Sequence, residues 1–437
     1  MGCMRTIFNP SLSQWKQLAE RPTVRRSELR ETVEKMFDDI QQNGDKAVLK
    51  FGKQFDYSAQ TSLIVDVTTI QNATDRVSEE LKTAIETARQ NIEKFHASQQ
   101  EKMCKIEMTA GVVCWRESRP IERIGIYIPG GSAPLFSTVL MLAVPAQIAG
   151  CKEVVLCTPP DANGEINPAI LYTANLVGVT KIFSVGGIQA IGALTFGTET
   201  IPKVDKIFGP GNQYVTAAKQ VAQYYNTAID MPAGPSEVLV IADASCRPSF
   251  VAADLLSQAE HGADSQVILL STSKQIIEEI QQELDTQLAR LARKEIARQA
   301  LENSRAILFD TVDECLVFSN LYAPEHLILA VENPESVSRK VINAGSVFLG
   351  NFSCESAGDY ASGTNHTLPT SGYARAYSGV SLDSFVKKIT FQHLTEEGIK
   401  NIGNAVEIMA EAEELLAHKN AVSIRLQEIK KQNNDTI

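Results

Sequence analysis

The sequence has no apolar run of the roughly 20 residues that a membrane-spanning helix requires. Its N-terminus lacks the basic, apolar and small-residue order of a secretory signal. The segment MGCMRT fits the loose pattern for myristoylation of Gly2, with Cys3 as a second acylation candidate, but so short a pattern often arises by chance. We therefore expect a cytoplasmic protein without a membrane partner.

The sequence also lacks runs of Lys or Arg that could follow a phosphate backbone. Its 41 basic residues are outnumbered by 52 acidic ones, which gives a net charge of -11. Such a balance does not attract polyanions, so nucleic acid is not an expected partner. The length of 437 residues and an apolar content of 44% instead indicate a globular protein of several domains.

Paired cysteines are a further absence, because the eight cysteines are scattered and include no CxxC motif. This spacing argues against a disulfide framework and against a thiolate zinc site, and it indicates reduced thiols. Cys114 and Cys151 flank a Gly-rich segment and are candidate nucleophiles, although the sequence places no activating His beside them.

The pattern of apolar residues changes along the chain. The N-terminal part is helical in character: SELRETVEKMFDDIQQNG begins with a Ser cap, and a second helical segment is expected to place His96 on the surface. From residue 123 onward, short apolar runs alternate with helical segments. This alternation is typical of βαβ units and a parallel sheet.

A Pro/Gly-rich segment, MPAGPSE, separates two such series. We predict an α/β fold with two incomplete Rossmann-like parallel-sheet domains, a helical N-terminal region and a helical C-terminal extension. The predicted divisions are a helical region with a short strand patch at 1–122, sheet domains at 123–235 and 236–380, and the extension at 381–437. The long loop SCESAGDYASGTNHTLPTSGYAR in the second series is expected to be functional.

Gln258 and His261 stand three residues apart near the end of a predicted helix, so both side chains should project from one face. The alternative is a simple helix end, since Gly262 follows. Further donors of the kind that zinc or manganese binds without cysteine are found at Asp359, His366 and His418. No short metal motif such as HExxH is present, so spacing leaves both interpretations open.

Glu325 and His326 are adjacent at the start of a predicted strand. A carboxylate and an imidazole can act as proton acceptors of different strength. Consecutive side chains on a strand face opposite ways, so the two cooperate only if the backbone turns there. The alternative is a solvent-facing Glu beside a packed His.

Three Gly-rich turns follow predicted strands, at GGSAP (130–134), GGIQA (186–190) and GPGN (209–212). Each could aim backbone N–H groups and a helix N-terminus at the phosphates of a dinucleotide. None is a GxGxxG motif, and Gly at a strand-to-helix turn is also ordinary turn chemistry. From these patterns, metal binding and nucleotide binding are both hypotheses.

In their order and spacing, longer segments of the chain resemble the histidinol dehydrogenase family. The segments that carry the resemblance are IYIPGGSAPLFSTVLMLAVPAQIAGC, VGGIQAIGALTFGT, KVDKIFGPGN, DMPAGPSEVLVIAD, DLLSQAEHGADSQVILL, YAPEHL, SAGDYASGTNHTLPT and AHKNAVSIRL. The resemblance implies a homodimer with shared active sites and one zinc ion per subunit. It also implies oxidation of L-histidinol to L-histidine through histidinaldehyde, with water and two NAD, in the last two steps of histidine biosynthesis.

The resemblance implies a role for each residue that matches a family motif. The implied zinc ligands are Gln258, His261 and Asp359 of one chain and His418 of the other. The implied proton-transfer pair is Glu325 and His326. The implied NAD contacts are Tyr127, Gln189 and Asn212. The zinc ligands and His326 would also contact substrate, together with Ser236, His366 and Glu413.

Two other enzyme classes use similar residues. A metal-dependent hydrolase on an α/β scaffold would use the same ligands and a water activated by Glu325, without NAD. An aldehyde-dehydrogenase-like enzyme would need a thiol nucleophile, for which Cys114 and Cys151 are the candidates. Formation of NADH from histidinol discriminates the predicted dehydrogenase from the hydrolase.

Overall fold

The structure is a computed structural model that describes residues 4–21, 26–56, 62–130, 133–232 and 234–434. Gly2 and Cys3 of the acylation pattern lie outside these ranges, as does Gly131 of the first Gly-rich turn. The chain divides into two compact units, Met1–Gln99 with Ile121–Phe385 and Gln100–Pro120 with Val386–Ile437. No helix in the described ranges is both long enough and apolar enough to span a membrane.

Strands and helices alternate over most of the chain. The strands are β1 (Arg5–Phe8), β2 (Ile106–Thr109), β3 (Val112–Pro120), β4 (Arg123–Tyr127), β5 (Glu153–Thr158), β6 (Lys181–Ser184), β7 (Lys206–Phe208), β8 (Ala228–Ile229), β9 (Glu237–Ala242), β10 (Gln266–Ser271), β11 (Arg305–Leu308), β12 (His326–Ala330), β13 (Ser346–Leu349) and β14 (Val386–Leu394). The helices are α1 (Leu12–Leu18), α2 (Arg26–Asn43), α3 (Asp45–Phe55), α4 (Val67–Ala73), α5 (Glu79–Ala97), α6 (Phe136–Ala149), α7 (Pro168–Leu176), α8 (Gly187–Phe196), α9 (Gln213–Ala222), α10 (Pro248–Ala259), α11 (Lys274–Leu288), α12 (Lys294–Glu302), α13 (Val312–Tyr322), α14 (Pro334–Ser338), α15 (Glu355–Tyr360), α16 (Glu396–Ala412) and α17 (Leu416–Asn434).

The first parallel sheet has the strand order β6-β5-β4-β7-β8 among the described residues. Counted along the chain, this is the 3-2-1-4-5 order of a Rossmann-like half. Ile124 and Ile126 enter a hydrophobic cluster on one face of the sheet, and Val155 and Ile207 enter a second cluster on the other. Both faces are therefore covered, which explains why the strands are continuous apolar runs.

The second parallel sheet has the order β1-β11-β10-β9-β12-β13 within the same described ranges. The strands from β9 to β13 repeat the 3-2-1-4-5 order, and β1 adds an edge strand beside β11. Val238 and Val240 enter one cluster, whereas Leu239 and Ile241 enter the other. Together the two sheets confirm the predicted α/β fold with two incomplete Rossmann-like sheets, while the predicted domain limits stay predictions.

The second unit combines a small antiparallel sheet with two helices. The described strands of that sheet have the order β14-β3-β2. Helices α16 and α17 pack closely, because a Cβ on Gly403 would lie 2.9 Å from the side chain of Leu426. The C-terminal extension is therefore mainly helical, as predicted, but it also contains the strand β14.

Three local features differ from the sequence predictions. The N-terminal region contributes the edge strand β1, and the long loop of the second series contains the short helix α15. His96 was expected on the surface but is fully buried, with Nδ1 2.9 Å from the carbonyl of Ile92 and Nε2 3.4 Å from the amide of Asn365. Each difference depends on a partner distant in sequence, which local periodicity does not contain.

Candidate active site

A cleft of about 990 Å³ lies between the two parallel sheets. One wall is formed at the carboxyl ends of the first sheet, where the segment 209–212 follows β7. The other wall is formed at the amino ends of the second sheet, where Ser236 precedes β9 and Glu325 precedes β12. The second sheet therefore departs from the common α/β arrangement, in which ligands bind at the carboxyl ends of the strands.

Glu325 and His326 are both held by main-chain atoms of one residue, Glu237. The N–H of Glu237 donates to Oε2 of Glu325 at 2.8 Å, and Nδ1 of His326 lies 3.1 Å from the carbonyl oxygen of Glu237. Strands β9 and β12 are neighbours, which brings their first residues together. Ala323, at φ 55°, bends the chain just before the pair. The two side chains therefore lie close together although the residues are consecutive.

The second ring nitrogen of His326 is left as the basic atom. A carbonyl oxygen only accepts, so Nδ1 carries the proton of the neutral ring and Nε2 does not. Nε2 is buried, makes no hydrogen bond within the described part of the chain, and lies 3.6 Å from Oδ1 of Asp359. Burial lowers the pKa of this ring, but the carboxylates of Glu355, Glu325 and Asp359 raise it to about 10. A cation bound among these carboxylates would offset their charge and lower that pKa.

His261, Glu355 and Asp359 each place one ligand atom within 4.8 Å of the others. The two carboxylates lie four residues apart on α15, which packs against α10. His261 lies just beyond the end of α10, and its N–H donates to the carbonyl of Gln258 at 3.2 Å. Desolvation by the surrounding protein lowers the pKa of His261, which favours the neutral, metal-binding form. One imidazole and two carboxylates suit zinc or manganese.

The amide of Gln258 is fully buried against Glu355 and can adopt two orientations. With its nitrogen towards Glu355, the amide donates a hydrogen bond there, and its oxygen accepts from the N–H of Glu237 at 2.9 Å. In the other orientation, the nitrogen lies 3.5 Å from Oε2 of Glu325, and the amide oxygen faces a carboxylate oxygen of Glu355. Two acceptors that face each other need a proton or a cation between them. The second orientation also sets the amide nitrogen against the N–H of Glu237, so the first orientation satisfies the protein groups better.

Several carboxyl groups around the cluster resist ionisation. Burial raises the pKa of Glu325 to about 8 and raises that of Glu355 well above its usual range. Burial also raises the pKa of Asp254, on α10, to about 7. Burial alone would raise the pKa of Asp359 too, but His326 lowers it below its ordinary value. This excess of buried carboxyl groups indicates a place where a divalent cation would be stabilising.

Two predicted substrate residues, His366 and Ser236, line the cleft. Nδ1 of His366 lies 2.8 Å from the carbonyl oxygen of Asp359, and Nε2 lies 2.9 Å from the hydroxyl of Thr138. Burial lowers the pKa of His366. A neutral ring that is engaged at both nitrogens is better suited to shaping the cleft than to transferring protons.

Asn212 is the predicted NAD residue that lines the cleft. Its Oδ1 caps α9 by accepting from the N–H groups of Tyr214 (3.0 Å) and Val215 (3.1 Å). Capping fixes the side chain and leaves its amide nitrogen available to a ligand.

The main-chain N–H and carbonyl of Gly209, in the same turn, are each hydrogen-bonded to a buried charged side chain, an arrangement we call the clamp. Nζ of Lys219 donates to the carbonyl of Gly209 at 2.8 Å, and Oδ2 of Asp230 accepts from its N–H at 2.8 Å. Lys219 and Asp230 also form an ion pair with each other. A Cβ at position 209 would lie 2.1 Å from the carbonyl oxygen of Tyr127, so this turn requires glycine.

The other two predicted NAD residues, Tyr127 and Gln189, are buried. The hydroxyl of Tyr127 accepts from the N–H of Gly187 at 3.1 Å. Oδ2 of Asp56 accepts from Nε2 of Gln189 at 2.9 Å and from the N–H of Gly186 at 3.2 Å. The N–H groups of Gly186 and Gly187, at the start of α8, thus have protein partners already. The NAD roles of Tyr127 and Gln189 stay predictions.

Glu413 and His418 belong to the second unit. Glu413 follows the end of α16, His418 lies in the first turn of α17, and both are exposed. Their predicted contacts with substrate and zinc stay predictions.

The candidate thiol nucleophiles are not placed for that role. Cys114 lies on β3 of the second unit, and burial raises the pKa of Cys151 to about 11. Neither residue lines the cleft in the part of the chain that the structure describes. A high pKa disfavours the reactive thiolate, so a thiol mechanism gains no support.

Three residues of the site were missed in the sequence. Glu355 stands four residues before Asp359, a spacing that would have indicated a shared helix face if α15 had been predicted. The side chain of Glu237 forms an ion pair with Arg21, which also donates to the carbonyl of Tyr322 at 2.9 Å. No local signal points to Arg21 or Glu237, because the ion pair joins segments far apart in the chain.

Comparison with known proteins gives a consistent result. The family model described as histidinol dehydrogenase matches residues 19–426. A histidinol dehydrogenase of Bacteroides thetaiotaomicron is 58% identical over 427 residues, covering 98% of this chain and 100% of the relative. One from Escherichia coli is 51% identical and covers 96% of each chain. The crystal structure of histidinol dehydrogenase from Elizabethkingia anophelis matches with a TM-score of 0.97 and 64% identity, covering 98% of this chain and 99% of that chain. The chain belongs to the histidinol dehydrogenase family.

Proposed function

We propose that the protein oxidises L-histidinol to L-histidine through histidinaldehyde, with one water and two NAD per turnover. The observation that carries the proposal is the buried, basic Nε2 of His326, 3.6 Å from Asp359 in a cluster that fits a divalent cation. Membership of the family supports the same reaction. No observation favours a metal-dependent hydrolase.

Zinc is the metal that we propose for the cluster. His261 and Asp359 would hold it together with the amide oxygen of Gln258 and the partner subunit's His418. The mixed nitrogen and oxygen donors of the cluster support this assignment. When bound, zinc would supply a Lewis-acidic centre that the amine and imidazole nitrogens of histidinol could chelate, which would orient the alcohol group.

NAD is the proposed redox cofactor, and the wall of the cleft at Gly209–Asn212 is its proposed place, with Tyr127 and Gln189 behind it. When bound, NAD accepts one hydride in each of the two oxidations. The free amide nitrogen of Asn212 and the clamped peptide of Gly209 offer fixed polar contacts to such a ligand.

In the first oxidation, His326 acts as the general base. Its Nδ1 proton is held by the carbonyl of Glu237, so Nε2 is oriented to take the proton of the substrate hydroxyl. Loss of the hydroxyl proton to His326, and of a hydride to NAD from the carbon that bears the hydroxyl, leaves the aldehyde.

In the second oxidation, a water must add to the aldehyde before another hydride can leave. We assign its activation to Glu325, assisted by His326, whose Nδ1 lies 3.7 Å from the carboxylate. The raised pKa of Glu325, about 8, matches a group that exchanges protons near neutral pH. The aldehyde hydrate then loses a proton and, to NAD, a hydride; this gives the carboxylic acid, which loses a second proton to become the carboxylate of histidine.

We further propose a homodimer in which α17 of one subunit completes the site of the other. Exposed apolar residues flank His418, among them Leu415 and Leu416, and Ile424 follows on the same helix. Such residues are typical of a surface that another chain covers. This arrangement would also explain why His418, a proposed zinc ligand, is exposed in α17.

The test is the yield of NADH per histidinol. We expect two NADH and one histidine per histidinol, and loss of both after treatment with a chelator. Restoration by added zinc would support the metal assignment. Histidine formation without NADH, or an unchanged rate after verified metal removal, would contradict the proposed reaction or its metal, respectively.

A further inference from the structure

We propose that Glu355 is an additional ligand of the divalent cation, and that it holds a coordination position which the substrate takes over on binding. This inference rests on the proposed function, because it concerns the same cation. It adds a residue to the implied set of Gln258, His261, Asp359 and His418.

The position of Glu355 supports direct coordination. Its carboxylate oxygen belongs to the group of three ligand atoms that lie within 4.8 Å of one another, with His261 and Asp359. The side chain is 1% exposed, so solvent does not hydrate it. A buried, ionised carboxylate needs a counter-charge; among the neighbours of Glu355, His326 can supply one, whereas Asp359, Glu325 and Asp254 oppose ionisation.

The amide of Gln258 supplies an independent argument. This amide can donate a hydrogen bond to Glu355, or it can turn its oxygen towards the cation, but it cannot do both. When the oxygen turns to the cation, Glu355 loses its amide donor and its carboxylate faces that oxygen. A cation that both oxygens bind removes the repulsion between the amide oxygen of Gln258 and the carboxylate of Glu355. If Gln258 is a ligand, Glu355 loses its amide donor, and its carboxylate, which already lies among the candidate ligand atoms, can bind the same cation.

The substrate gives a reason for the exchange. A chelating amine and imidazole need two positions on the cation, and catalytic zinc sites keep such positions open or filled by replaceable groups. Glu355 is placed to fill one of them in the substrate-free enzyme and to turn back to the amide of Gln258 when histidinol binds.

The experiment measures zinc affinity of the full-length protein by competition with a chromophoric chelator, with and without saturating histidinol. For Glu355→Gln we expect the affinity to fall about 10- to 100-fold without histidinol and to approach the wild-type value with it. Glu355→Asp keeps the charge but shortens the side chain, so it should show the same loss. Asp254→Asn is the matched control, because it removes a buried carboxyl near the cluster without removing a proposed ligand, and it should bind zinc nearly as wild type does.

A second readout is the visible absorption of the Co²⁺-substituted protein. We expect histidinol to change the spectrum of the wild type and to change that of Glu355→Gln less, since the variant has no carboxylate to displace. Wild-type zinc affinity in Glu355→Gln, or an equal loss with and without histidinol, would overturn the proposal. His261→Ala distinguishes a failure of the whole metal site from a failure of the role of Glu355. If His261→Ala also retains zinc, the proposed metal site is wrong as a whole. If His261→Ala loses zinc while Glu355→Gln binds it normally, only the role of Glu355 is refuted.

Discussion

The carboxylate of Glu325 lies 3.7 Å from Nδ1 of His326, although the two residues are consecutive and His326 begins a strand. The main chain of Glu237 explains this geometry, because its N–H donates to the carboxylate and its carbonyl oxygen accepts from the imidazole. The main chain of one residue thus sets both the tautomer of the imidazole and the position of the carboxylate.

Replacement of His326 by Ala should damage both oxidations. The substitution removes the Nε2 base, and loss of a general base lowers the rate by roughly 100-fold or more. The measurement is kcat with histidinol and, separately, with histidinaldehyde. A variant that retains near-wild-type rates on both substrates would contradict the assigned role.

Replacement of Glu325 by Gln should slow the second oxidation more than the first. The amide oxygen can still accept from the N–H of Glu237, but it cannot take a proton from water, which only the second oxidation needs. We expect the single-turnover rate constant for oxidation of histidinaldehyde to fall more than that for oxidation of histidinol. Equal losses would remove water activation from this residue.

Exchange of subunits tests the shared site. In a heterodimer of His261→Ala and His418→Ala chains, one site collects both defects and the other collects neither, if the partner subunit's His418 completes each site. Random pairing of equal amounts gives about half heterodimer, hence roughly a quarter of wild-type activity, against near zero for either variant alone. No recovery after verified exchange would show that each site uses ligands from a single chain.

The buried carboxyl of Asp254 should make stability depend on pH. Its pKa rises from 3.8 to about 7 on folding, so its protonated form is the favoured one in the folded state. That contribution is fully present below about pH 4 and is lost as pH rises through about 7. Relative to wild type, Asp254→Asn should gain up to about 4 kcal/mol of unfolding free energy between pH 4 and pH 8. Urea unfolding of both proteins across this pH range measures the difference in unfolding free energy. A difference that does not change with pH would refute the raised pKa of Asp254.

The clamp on Gly209 should matter for both stability and cofactor binding. Lys219→Met leaves Asp230 buried without its ion-pair partner, which should cost about 3–5 kcal/mol and raise the KM for NAD. The matched control is Lys152→Met, since the ion pair of Lys152 with Glu122 is exposed and should contribute less than about 1 kcal/mol.

A double variant separates the two roles of the clamp. Lys219→Met with Asp230→Leu removes both buried charges and should regain part of the lost stability, whereas the KM for NAD should stay high because the Gly209 peptide has lost both contacts. Recovery of the wild-type KM would show that the pair is structural only.

The sequence by itself determined the two parallel sheets and the segments that carry the site. Alternating apolar runs and helical segments depend on local periodicity, which is written in consecutive residues. The motifs with Gln258, His261, Asp359, Glu325 and His326 could be identified in the same way. The family could also be inferred from them, and the comparisons confirm it.

Tertiary structure decided what each of these residues touches. Glu355 enters the cluster because α15 packs against α10, and the peptide of Glu237 reaches Glu325 and His326 because β9 and β12 are neighbours in the sheet. Arg21 meets Glu237 across 216 positions of sequence. Contacts of this kind arise when distant segments are buried together, so their partners and the resulting pKa shifts follow from packing and not from any local pattern of residues.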